Sequence, residues 1–254
     1  MTKQTDLHRY TYSIVVPLFN EEENVNPLIK SVFETVGHDP LFRHLVLVDD
    51  GSRDRTVELV EREAEREERI RLVRHTENRG LGGAVRSGLD HAEADLAVYT
   101  DADQPFDLAI LPELLAGAGP RTIVTGYRMN RDEGLRRWLL SRVYNRLISL
   151  LFGLSVKDVN FACKVIPRVL IREAILESEG SFIDAEILLE ARRFGLRIEQ
   201  YPVRYYPRTR GESTLSRPGV IFFILGEMID YLKRRPAGQP LGFQLENNES
   251  WRRD

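Results

Sequence analysis

The chain has little cysteine and no long apolar run. Its single cysteine, Cys163, excludes an intrachain disulfide framework and is typical of a protein in a reducing compartment. The most apolar stretch near the C-terminus, residues 220–232, is interrupted by Glu227 and Asp230 and is shorter than the roughly 20 residues that span a bilayer. We therefore expect no transmembrane helix.

The chain also lacks an excess of charge of either sign. Its 36 Lys and Arg residues stand against 39 Asp and Glu residues, so the net charge is −3 and we expect no nucleic-acid partner. Residues 1–9 are polar and lack the apolar core of a secretory signal, which predicts a cytoplasmic protein. Because no linker-like segment divides the chain, we expect one domain over residues 1–235, followed by a flexible tail over residues 236–254.

Short apolar runs alternate with amphipathic segments over the first half of the chain. Strands are predicted at residues 13–17, 45–48, 70–73, 96–99 and 122–125, and helices at 21–36, 56–68, 82–91 and 107–118. The run at 45–48 is continuously apolar, as expected for a parallel strand that is buried on both faces. The alternation predicts an α/β fold with a doubly wound, mostly parallel sheet, whose ligands bind beyond the carboxyl ends of the strands.

After Gly126 the pattern becomes more helical. An arginine-rich helix is predicted at 134–152, a short strand at 161–166, helices from residues 167 and 184, a strand at 196–206, and an amphipathic helix that ends near residue 233. These segments predict a C-terminal helical extension of the sheet. We expect the apolar residues of the last helix to pack against the sheet rather than against a membrane.

Two carboxylates one residue apart, Asp101 and Asp103, follow the fourth predicted strand. On extended backbone this spacing directs both side chains to one face, where their charges repel unless a cation lies between them. Mg²⁺ and Mn²⁺ accept few protein carboxylates and complete their coordination with water and substrate phosphate. The pair therefore predicts a metal and a phosphate-bearing ligand, although the same spacing also occurs on solvated loops.

Two further polar segments follow predicted strands. Asp49 and Asp50 precede Gly51 and Ser52, a pattern typical either of a nucleotide-binding strand end or of a turn that caps the next helix. The glycine-rich segment 78–84 precedes a helix and can let backbone amides approach phosphate. It imitates a dinucleotide fingerprint, but its spacing is incomplete and it lies two strand–helix units into the chain.

Seven motifs in order resemble those of the inverting glycosyltransferases of family 2, and within them the polyprenol-phosphate (dolichol-phosphate) mannosyltransferases. They are VVPLFNEEENV (15–25), LVDDGSRDRT (47–56), NRGLGGAVRSGL (78–89), DADQ (101–104), GYR (126–128), DVNFACKV (158–165) and RTRGEST (208–214). The resemblance implies a GT-A type fold and transfer from a nucleoside diphosphate sugar, such as GDP-mannose or a UDP-hexose. The continuation Gln104-Pro105-Phe106-Asp107 departs from the usual Leu-Gln-His-Pro-Pro and leaves the sugar and the acceptor open.

The resemblance also implies roles for individual residues on the donor side. Asp101 and Asp103 would hold Mg²⁺ or Mn²⁺ against the donor diphosphate, with Asp103 counted among the catalytic residues. The loop carrying Arg208, Arg210 and Ser213 is expected to close over the diphosphate, and an ordinary polar loop is the alternative interpretation. The remaining residues expected to bind the donor are Pro17, Glu21, Asp49, Asp50, Gly80, Ala102 and Gln104.

Arg128 and Arg142 are our candidates for binding an acceptor lipid phosphate, because guanidinium matches phosphate oxygens bidentately. The resemblance supports Arg128 at its motif position. The helix that carries Arg142 and Trp138 suits an anionic membrane surface, and a solvated cationic face is the alternative interpretation. Lys164 can contribute to phosphate binding, but a single lysine on a strand is more typical of a surface residue.

Asp184 and Glu186 are the candidates for a general base. A hydroxyl acceptor needs such a carboxylate, whereas a phosphate acceptor is already an anion. The alternative is that both are first-turn carboxylates stabilised by a helix N-terminus. We expect His75 to be structural, since it has no metal-ligand spacing.

Together these features predict a metal-dependent, inverting transferase that moves a sugar to polyprenyl phosphate, peripheral on the inner membrane face, with a possible membrane partner subunit. A hydroxyl acceptor with Asp184 or Glu186 as base is the nearest alternative. A sugar nucleotidyltransferase and a non-catalytic nucleotide-sugar binding protein are the others.

Overall fold

The computed structural model describes residues 9–129, 135–206 and 218–235, without the side chains of 135–137 and 218–221. The strands in these residues are β1 (Tyr12–Leu18), β2 (Phe42–Asp49), β3 (Ile70–Arg74), β4 (Leu96–Thr100), β5 (Thr122–Arg128), β6 (Cys163–Pro167) and β7 (Arg197–Val203). The helices are α1 (Glu22–Val36), α2 (Thr56–Ala64), α3 (Gly80–Asp90), α4 (Leu111–Gly117), α5 (Leu135–Phe152), α6 (Arg168–Glu173), α7 (Ile183–Arg193) and α8 (Pro218–Arg234).

The strands form one sheet in the order β3-β2-β1-β4-β6-β5-β7. All neighbouring pairs are parallel except those of β6, which runs antiparallel to both β4 and β5. The predicted α/β class and mostly parallel sheet are therefore confirmed. From β1 the chain adds β2 and β3 on one side and then crosses back to place β4 on the other side of β1. Such a reversal of strand order opens a crevice at the carboxyl ends.

The core lies in two layers, one on each face of the sheet. Side chains alternate between the faces with the period of two that a strand imposes: Ile14 and Val16 join one apolar cluster, and Val15 joins the other. The first cluster is covered by α1, α2 and α4 through residues such as Leu28. The second is covered by α3, α5, α7 and α8.

The ends of several strands meet at one edge of the sheet. Leu18, near the end of β1, pairs with Asp49, and Thr100, at the end of β4, pairs with Cys163 at the beginning of the antiparallel β6. Arg128 ends β5 opposite Val203. The acidic and basic residues that follow these strand ends are therefore held on the same edge, as the alternating pattern predicted.

Several boundaries differ from the prediction. The expected helix 107–118 divides into a 3₁₀ turn, Leu108–Ile110, and α4, with Asp107 accepting the Ala109 N–H at 2.9 Å to cap the turn. Strand β5 continues three residues past Thr125 because β7 pairs with it along its whole length. In the described part of the chain, none of the helices has the length and apolarity needed to cross a membrane.

Candidate functional site

The segment after β4 is a turn. The Gln104 N–H donates to the Asp101 carbonyl at 3.3 Å, and Gln104 has a positive φ of 50°, so the extended backbone expected through Asp103 is not present. Ala102 is buried within the turn, while Asp101 and Asp103 are partly exposed. Burial, followed by the charges of Asp184, Asp101 and Asp103, raises the pKa of Tyr99 well above its ordinary value. Asp101 and Asp103 therefore both contribute negative charge near Tyr99, at the end of β4.

The chemistry of this donor set fits a hard divalent cation. Among the described residues there is no group of three or more His, Cys, Asp or Glu side chains that could hold a metal by themselves. Two carboxylates are, however, what Mg²⁺ or Mn²⁺ requires when phosphate oxygens and water supply the remaining ligands. The pair Asp101 and Asp103 is thus suited to a metal that arrives with a phosphate-bearing ligand.

Both aspartates at the end of β2 are buried and make local hydrogen bonds. The Asp49 carboxylate accepts from the Ser52 N–H at 3.2 Å, which is the turn geometry that the sequence left open. The Asp50 Oδ1 accepts from the Arg79 N–H at 2.8 Å and lies 2.7 Å from the His75 Nδ1. Asp50 therefore ties the end of β2 to the segment that precedes α3.

His75 makes structural contacts, as expected, but the sequence did not predict its partners. Its Nε2 lies 2.8 Å from the Ser87 Oγ in α3, while its Nδ1 contacts Asp50. The side chains of His75 and Asp50 are almost fully buried, at 6% and 5% exposure. This Asp–His–Ser chain links β2, β3 and α3. Its one signal in the sequence is that His75 follows directly on β3, at the same edge as the aspartates.

The loops after β1 and β2 are joined to each other. Asn20, at a positive φ of 54°, donates its N–H to the Ser52 Oγ at 2.9 Å and accepts the Arg53 N–H at 2.8 Å. Glu21 donates its N–H to the Thr56 Oγ1 at 2.9 Å. Pro17 lies just before these loops. The last residue pair between β1 and β4 is Val15 with Tyr99, so β4 needs no backbone hydrogen bond from Pro17, which has no N–H to donate. The loops that carry the predicted donor-binding residues are thus mutually braced.

The glycine-rich segment is explained first by packing within the protein. The Gly82 N–H donates to the Glu179 carbonyl at 2.8 Å, so this amide is already used. A Cβ on Gly82 would lie 1.9 Å from the Ser178 carbonyl oxygen, and Gly80 has a φ of 77°. The close approach that we assigned to a ligand phosphate is therefore made by the loop before α7. A donor contact at Gly80 remains a prediction.

Replacing Gly82 by alanine should destabilise the fold by about 1–3 kcal/mol, because the Cβ meets backbone rather than a side chain that can move. The measurement is the free energy of unfolding in urea. Gly226→Ala in α8 is the matched control, since nothing lies within 4 Å of its Cβ position. That change should stabilise the helix by about 0.5–1 kcal/mol. Equal effects at the two sites would contradict the packing explanation.

Arg128 at the end of β5 is held in a fixed orientation. Its guanidinium donates through Nε to the Asp158 Oδ2 at 2.7 Å and through a terminal nitrogen to Oδ1 at 2.9 Å. The guanidinium carbon lies 5.5 Å from the centre of the Phe161 ring and 5.3 Å from that of Tyr205. The Asp158 side chain is fully buried, while that of Arg128 retains 10% exposure. The sequence did not single out Asp158 as the partner of Arg128.

Lys164 is not a surface residue, and that expectation is wrong. The side chain is fully buried, and its ammonium donates to Asp184 at 2.5 Å and to the Val159 and Phe161 carbonyls at 3.0 and 2.8 Å. Three acceptors match the three N–H bonds of an ammonium, so Lys164 has no donor left for a ligand phosphate. Asp184, a candidate base, is correspondingly engaged in a buried ion pair.

Glu186, the other candidate base, supports a loop. Its carboxylate is fully buried and accepts the Ser178 N–H at 2.8 Å and the Glu177 N–H at 3.1 Å. Both candidate carboxylates lie in the first turn of α7, as the alternative interpretation expected. These contacts favour that structural alternative over proton transfer.

A cationic groove lies along α5, with a cavity volume of about 380 Å³. The Arg142 guanidinium carbon lies 4.6 Å from the centre of the Trp138 ring, and the Lys157 Nζ lies 4.0 Å from that of Tyr127. Within the described part of the chain, the three cations of the groove form no ion pair with a carboxylate. The residues lining it are Trp138, Arg142, Asn145, Arg146, Ser149 and Lys157.

The groove adjoins the end of β5, because Lys157 precedes Asp158 in the chain and stacks on Tyr127, the residue before Arg128. The Arg128 guanidinium itself packs on Phe161 and Tyr205, which belong to the apolar cluster on the opposite face of the sheet from α5. The other predicted phosphate-binding residues, Arg208, Arg210 and Ser213, lie outside the described residues.

The sequence matches the family described as Glycosyl transferase family 2 over residues 13–175, and the chain belongs to this family. It is 30% identical to Glycosyltransferase AglD of Haloferax volcanii over 216 aligned residues. The alignment covers 81% of this chain and 34% of that protein. It is 32% identical over 208 residues to the dodecaprenyl-phosphate galacturonate synthase of Rhizobium johnstonii, and this alignment covers 79% of this chain and 60% of that protein. The undecaprenyl-phosphate 4-deoxy-4-formamido-L-arabinose transferase of Edwardsiella ictaluri is 30% identical, with 79% and 62% coverage. The chain thus spans between a third and two thirds of these relatives.

Solved structures share the fold at low sequence identity. The glucosyl-3-phosphoglycerate synthase from Mycobacterium tuberculosis, in complex with Mn²⁺, UDP and phosphoglyceric acid, matches with a TM-score of 0.70 and 21% identity over 94% of this chain and 84% of that one. The mannosyltransferase PcManGT from Pyrobaculum calidifontis, in complex with GDP-Man and Mn²⁺, matches with a TM-score of 0.63 and 20% identity, covering 88% and 65%. The predicted GT-A type fold is confirmed.

Proposed function

We propose that this chain is a metal-dependent, inverting glycosyltransferase that moves a sugar from a nucleoside diphosphate sugar to a polyprenyl phosphate at the cytosolic face of a membrane. The observation that carries the proposal is the groove along α5, which adjoins the end of β5 and whose three cations pair with no carboxylate in the described part of the chain. Two of the relatives described above are named for transfer to, or synthesis on, a polyprenyl phosphate. A phosphate on a lipid matches the charge of the groove.

On the donor side, Asp101 and Asp103 would hold Mg²⁺ or Mn²⁺ together with the diphosphate. The metal would supply Lewis-acid stabilisation of the leaving group. The related structures that contain Mn²⁺ with UDP or GDP-Man support this class of cofactor and donor. The loops after β1 and β2, braced through Asn20 and Ser52, would form the rim against which the nucleotide is oriented.

On the acceptor side, the groove favours a phosphate over a hydroxyl. A phosphate monoester is an anion at neutral pH, so it can attack without a general base. The Asp184 carboxylate is paired with Lys164, and the Glu186 carboxylate accepts backbone N–H groups. Neither is therefore arranged to take a proton from an acceptor, whereas Arg142 and Arg146 can bind phosphate oxygens bidentately. The acceptor oxygen would attack the anomeric carbon opposite the leaving diphosphate, which inverts that centre.

Glu186→Gln should leave kcat within about tenfold of wild type, because a glutamine oxygen can still accept the Ser178 N–H and no proton transfer is lost. Initial rates of glycolipid formation at saturating donor and acceptor measure this. A loss of about 10³-fold or more, with an unchanged thermal midpoint, would support the hydroxyl mechanism with Glu186 as base.

The surface of α5 and α8 suits contact with a lipid surface. The two helices are joined by Phe152, Phe182 and Tyr231, whose ring centres lie 5.7 to 6.0 Å apart. We expected the apolar residues of the last helix to pack against the sheet, and for several of them this is wrong. The apolar side chains exposed on the two helices are Leu139, Val143, Leu150, Leu151, Phe222, Phe223, Leu225 and Ile229.

Vesicle flotation tests this peripheral association. The protein should float with vesicles that contain anionic lipid, and binding should weaken at high salt because Arg142, Arg146 and Lys157 contribute attraction. Phe222→Ser combined with Phe223→Ser should reduce flotation while leaving the fold intact, because both side chains are at least half exposed. Failure of the wild-type protein to float would favour recruitment by a membrane partner subunit.

Incubation with labelled nucleotide sugar, Mn²⁺ and a panel of acceptors tests the proposed function itself. The panel consists of a polyprenyl phosphate, the matching polyprenol and a soluble sugar. Labelled product only with the polyprenyl phosphate supports the proposal, and product with either hydroxyl acceptor supports the nearest alternative. Consumption of a nucleoside triphosphate with a sugar 1-phosphate would indicate a nucleotidyltransferase, and binding without turnover would indicate a non-catalytic protein.

A further inference from the structure

The buried pair of Lys164 and Asp184 lies between the end of β4 and the loop that carries Asp158. Lys164 in β6 is opposite Tyr99 of β4 and Thr125 of β5 in the sheet register. Its ammonium holds the carbonyls of Val159 and Phe161, one on each side of Asn160. These two contacts fix the backbone that directly follows Asp158.

A second contact holds the same loop from α5. Asn145, which lines the cationic groove, accepts the Val159 N–H at 3.1 Å and donates to the Lys157 carbonyl at 3.3 Å. The loop of residues 157–161 is therefore held through its backbone by Lys164 on one side and by Asn145 on the other. Asp158, which orients the Arg128 guanidinium, lies between these attachments.

The charges of this region form one network. Burial raises the pKa of Asp184, and Lys164 opposes that change. The charge of Asp158 raises the same pKa, whereas the charge of Arg128 lowers it. Burying an ion pair seldom improves stability over an apolar pair of similar volume. The buried pair is therefore weak evidence for stability, and what it adds to the neighbouring loop is the contact of Lys164 with the Val159 and Phe161 carbonyls.

We propose that Lys164 and Asp184 are positioning residues that, by holding the Val159 and Phe161 carbonyls, fix Asp158 and so orient Arg128 toward the acceptor phosphate. This proposal rests on the function proposed above. Arg128 would contact the acceptor, while Lys164 and Asp184 would act only through the loop. The donor side should not depend on the pair, because its predicted residues are held by other contacts, such as that of His75 with Asp50.

The test is the double variant Lys164→Met with Asp184→Leu, which removes both charges together and leaves neither unpaired. Its KM for polyprenyl phosphate should rise about tenfold to 100-fold, while the Kd for the nucleoside diphosphate with Mn²⁺ stays unchanged. Asp184→Asn retains an oxygen that accepts from Lys164 and should give a smaller rise. Both variants are compared after their circular dichroism has established that they fold.

The matched control removes another buried pair from the same helix. Glu190 in α7 is bound to Arg235 at 2.7 Å and to the Tyr231 hydroxyl at 2.9 Å. Glu190→Leu with Arg235→Met should change the thermal midpoint but not the KM for the acceptor. An unchanged acceptor KM in the Lys164 and Asp184 double variant, or an equal loss of donor affinity, would overturn the proposal.

A side-chain NMR measurement separates this proposal from the proposed function. In ¹⁵N-labelled protein the Arg128 Nε–H should give a sharp, protected signal, because it donates to Asp158 at 2.7 Å. The signal should be lost or broadened in the double variant whether or not the protein transfers sugar. A retained signal overturns the positioning role even if the protein is an active transferase. If wild type forms no glycolipid but the signal is lost as expected, only the proposed acceptor is refuted.

Discussion

Replacing Asp103 by asparagine should lower kcat/KM for sugar transfer by about 10³-fold at saturating Mn²⁺. The substitution keeps the volume of the side chain but removes one of the two carboxylates in the turn after β4. With one negative charge instead of two, the site should bind a divalent cation weakly, and the charge of the departing diphosphate would lack its counter-ion. Asp101→Asn should have a similar effect.

Two measurements check this prediction. Initial rates give the loss of transfer, and calorimetric titration of the nucleoside diphosphate with and without Mn²⁺ gives the loss of metal-dependent binding. Asp107→Asn is the control, because Asp107 is exposed in the same loop and caps the 3₁₀ turn through the Ala109 N–H. It should retain nearly full activity. If Asp103→Asn keeps a third or more of the wild-type rate, the donor-side account is wrong.

Replacing Arg142 by glutamine should raise the KM for polyprenyl phosphate by about tenfold to 100-fold, which corresponds to the loss of one charge-assisted, bidentate contact. Arg142 is exposed, stacks on Trp138 and makes no ion pair with any carboxylate that the structure describes. Its removal therefore leaves no buried charge behind. The free energy of unfolding should stay within about 0.5 kcal/mol of wild type.

Steady-state kinetics with the acceptor varied at saturating donor measure this effect, and donor affinity provides the internal comparison. Arg66→Gln is the matched control, since Arg66 is exposed, pairs among the described residues with Glu63, and lines a different groove. A rise in the donor KM without a change in the acceptor KM would assign Arg142 to the donor. No change in either would remove the groove from the mechanism.

The architecture follows from patterns that act over short distances along the chain. Continuous apolar runs such as residues 45–48 predict buried parallel strands, and β2 is indeed buried over most of its length. Because parallel strands direct their carboxyl ends to one edge, the sequence predicts that Asp49, Asp101 and Arg128 lie at the same edge, and the strand register places them there. The direction of β6 could not be predicted, since a short buried run such as Cys163–Pro167 reads the same for a parallel and an antiparallel strand.

The contacts that the sequence did not predict join residues far apart in the chain. Lys164 is buried because Asp184 of α7 reaches it, and the residues flanking Lys164 contain no sign of that partner. Gly82 faces the Ser178 carbonyl, almost a hundred residues away, so its need for glycine was attributed to a ligand. In both cases the residue type indicates that the position is special, but the neighbouring residue that explains it is brought close only by the tertiary fold.

The most direct test of the central claim is the structure of the product formed from a labelled nucleotide sugar and polyprenyl phosphate. NMR spectroscopy of that glycolipid should show the anomeric carbon coupled to the phosphorus of the lipid phosphate, with the anomeric configuration opposite to that of the donor. This result would establish direct attack by the acceptor phosphate in a single displacement. A product with the donor configuration, or with the sugar attached to a hydroxyl oxygen, would contradict it.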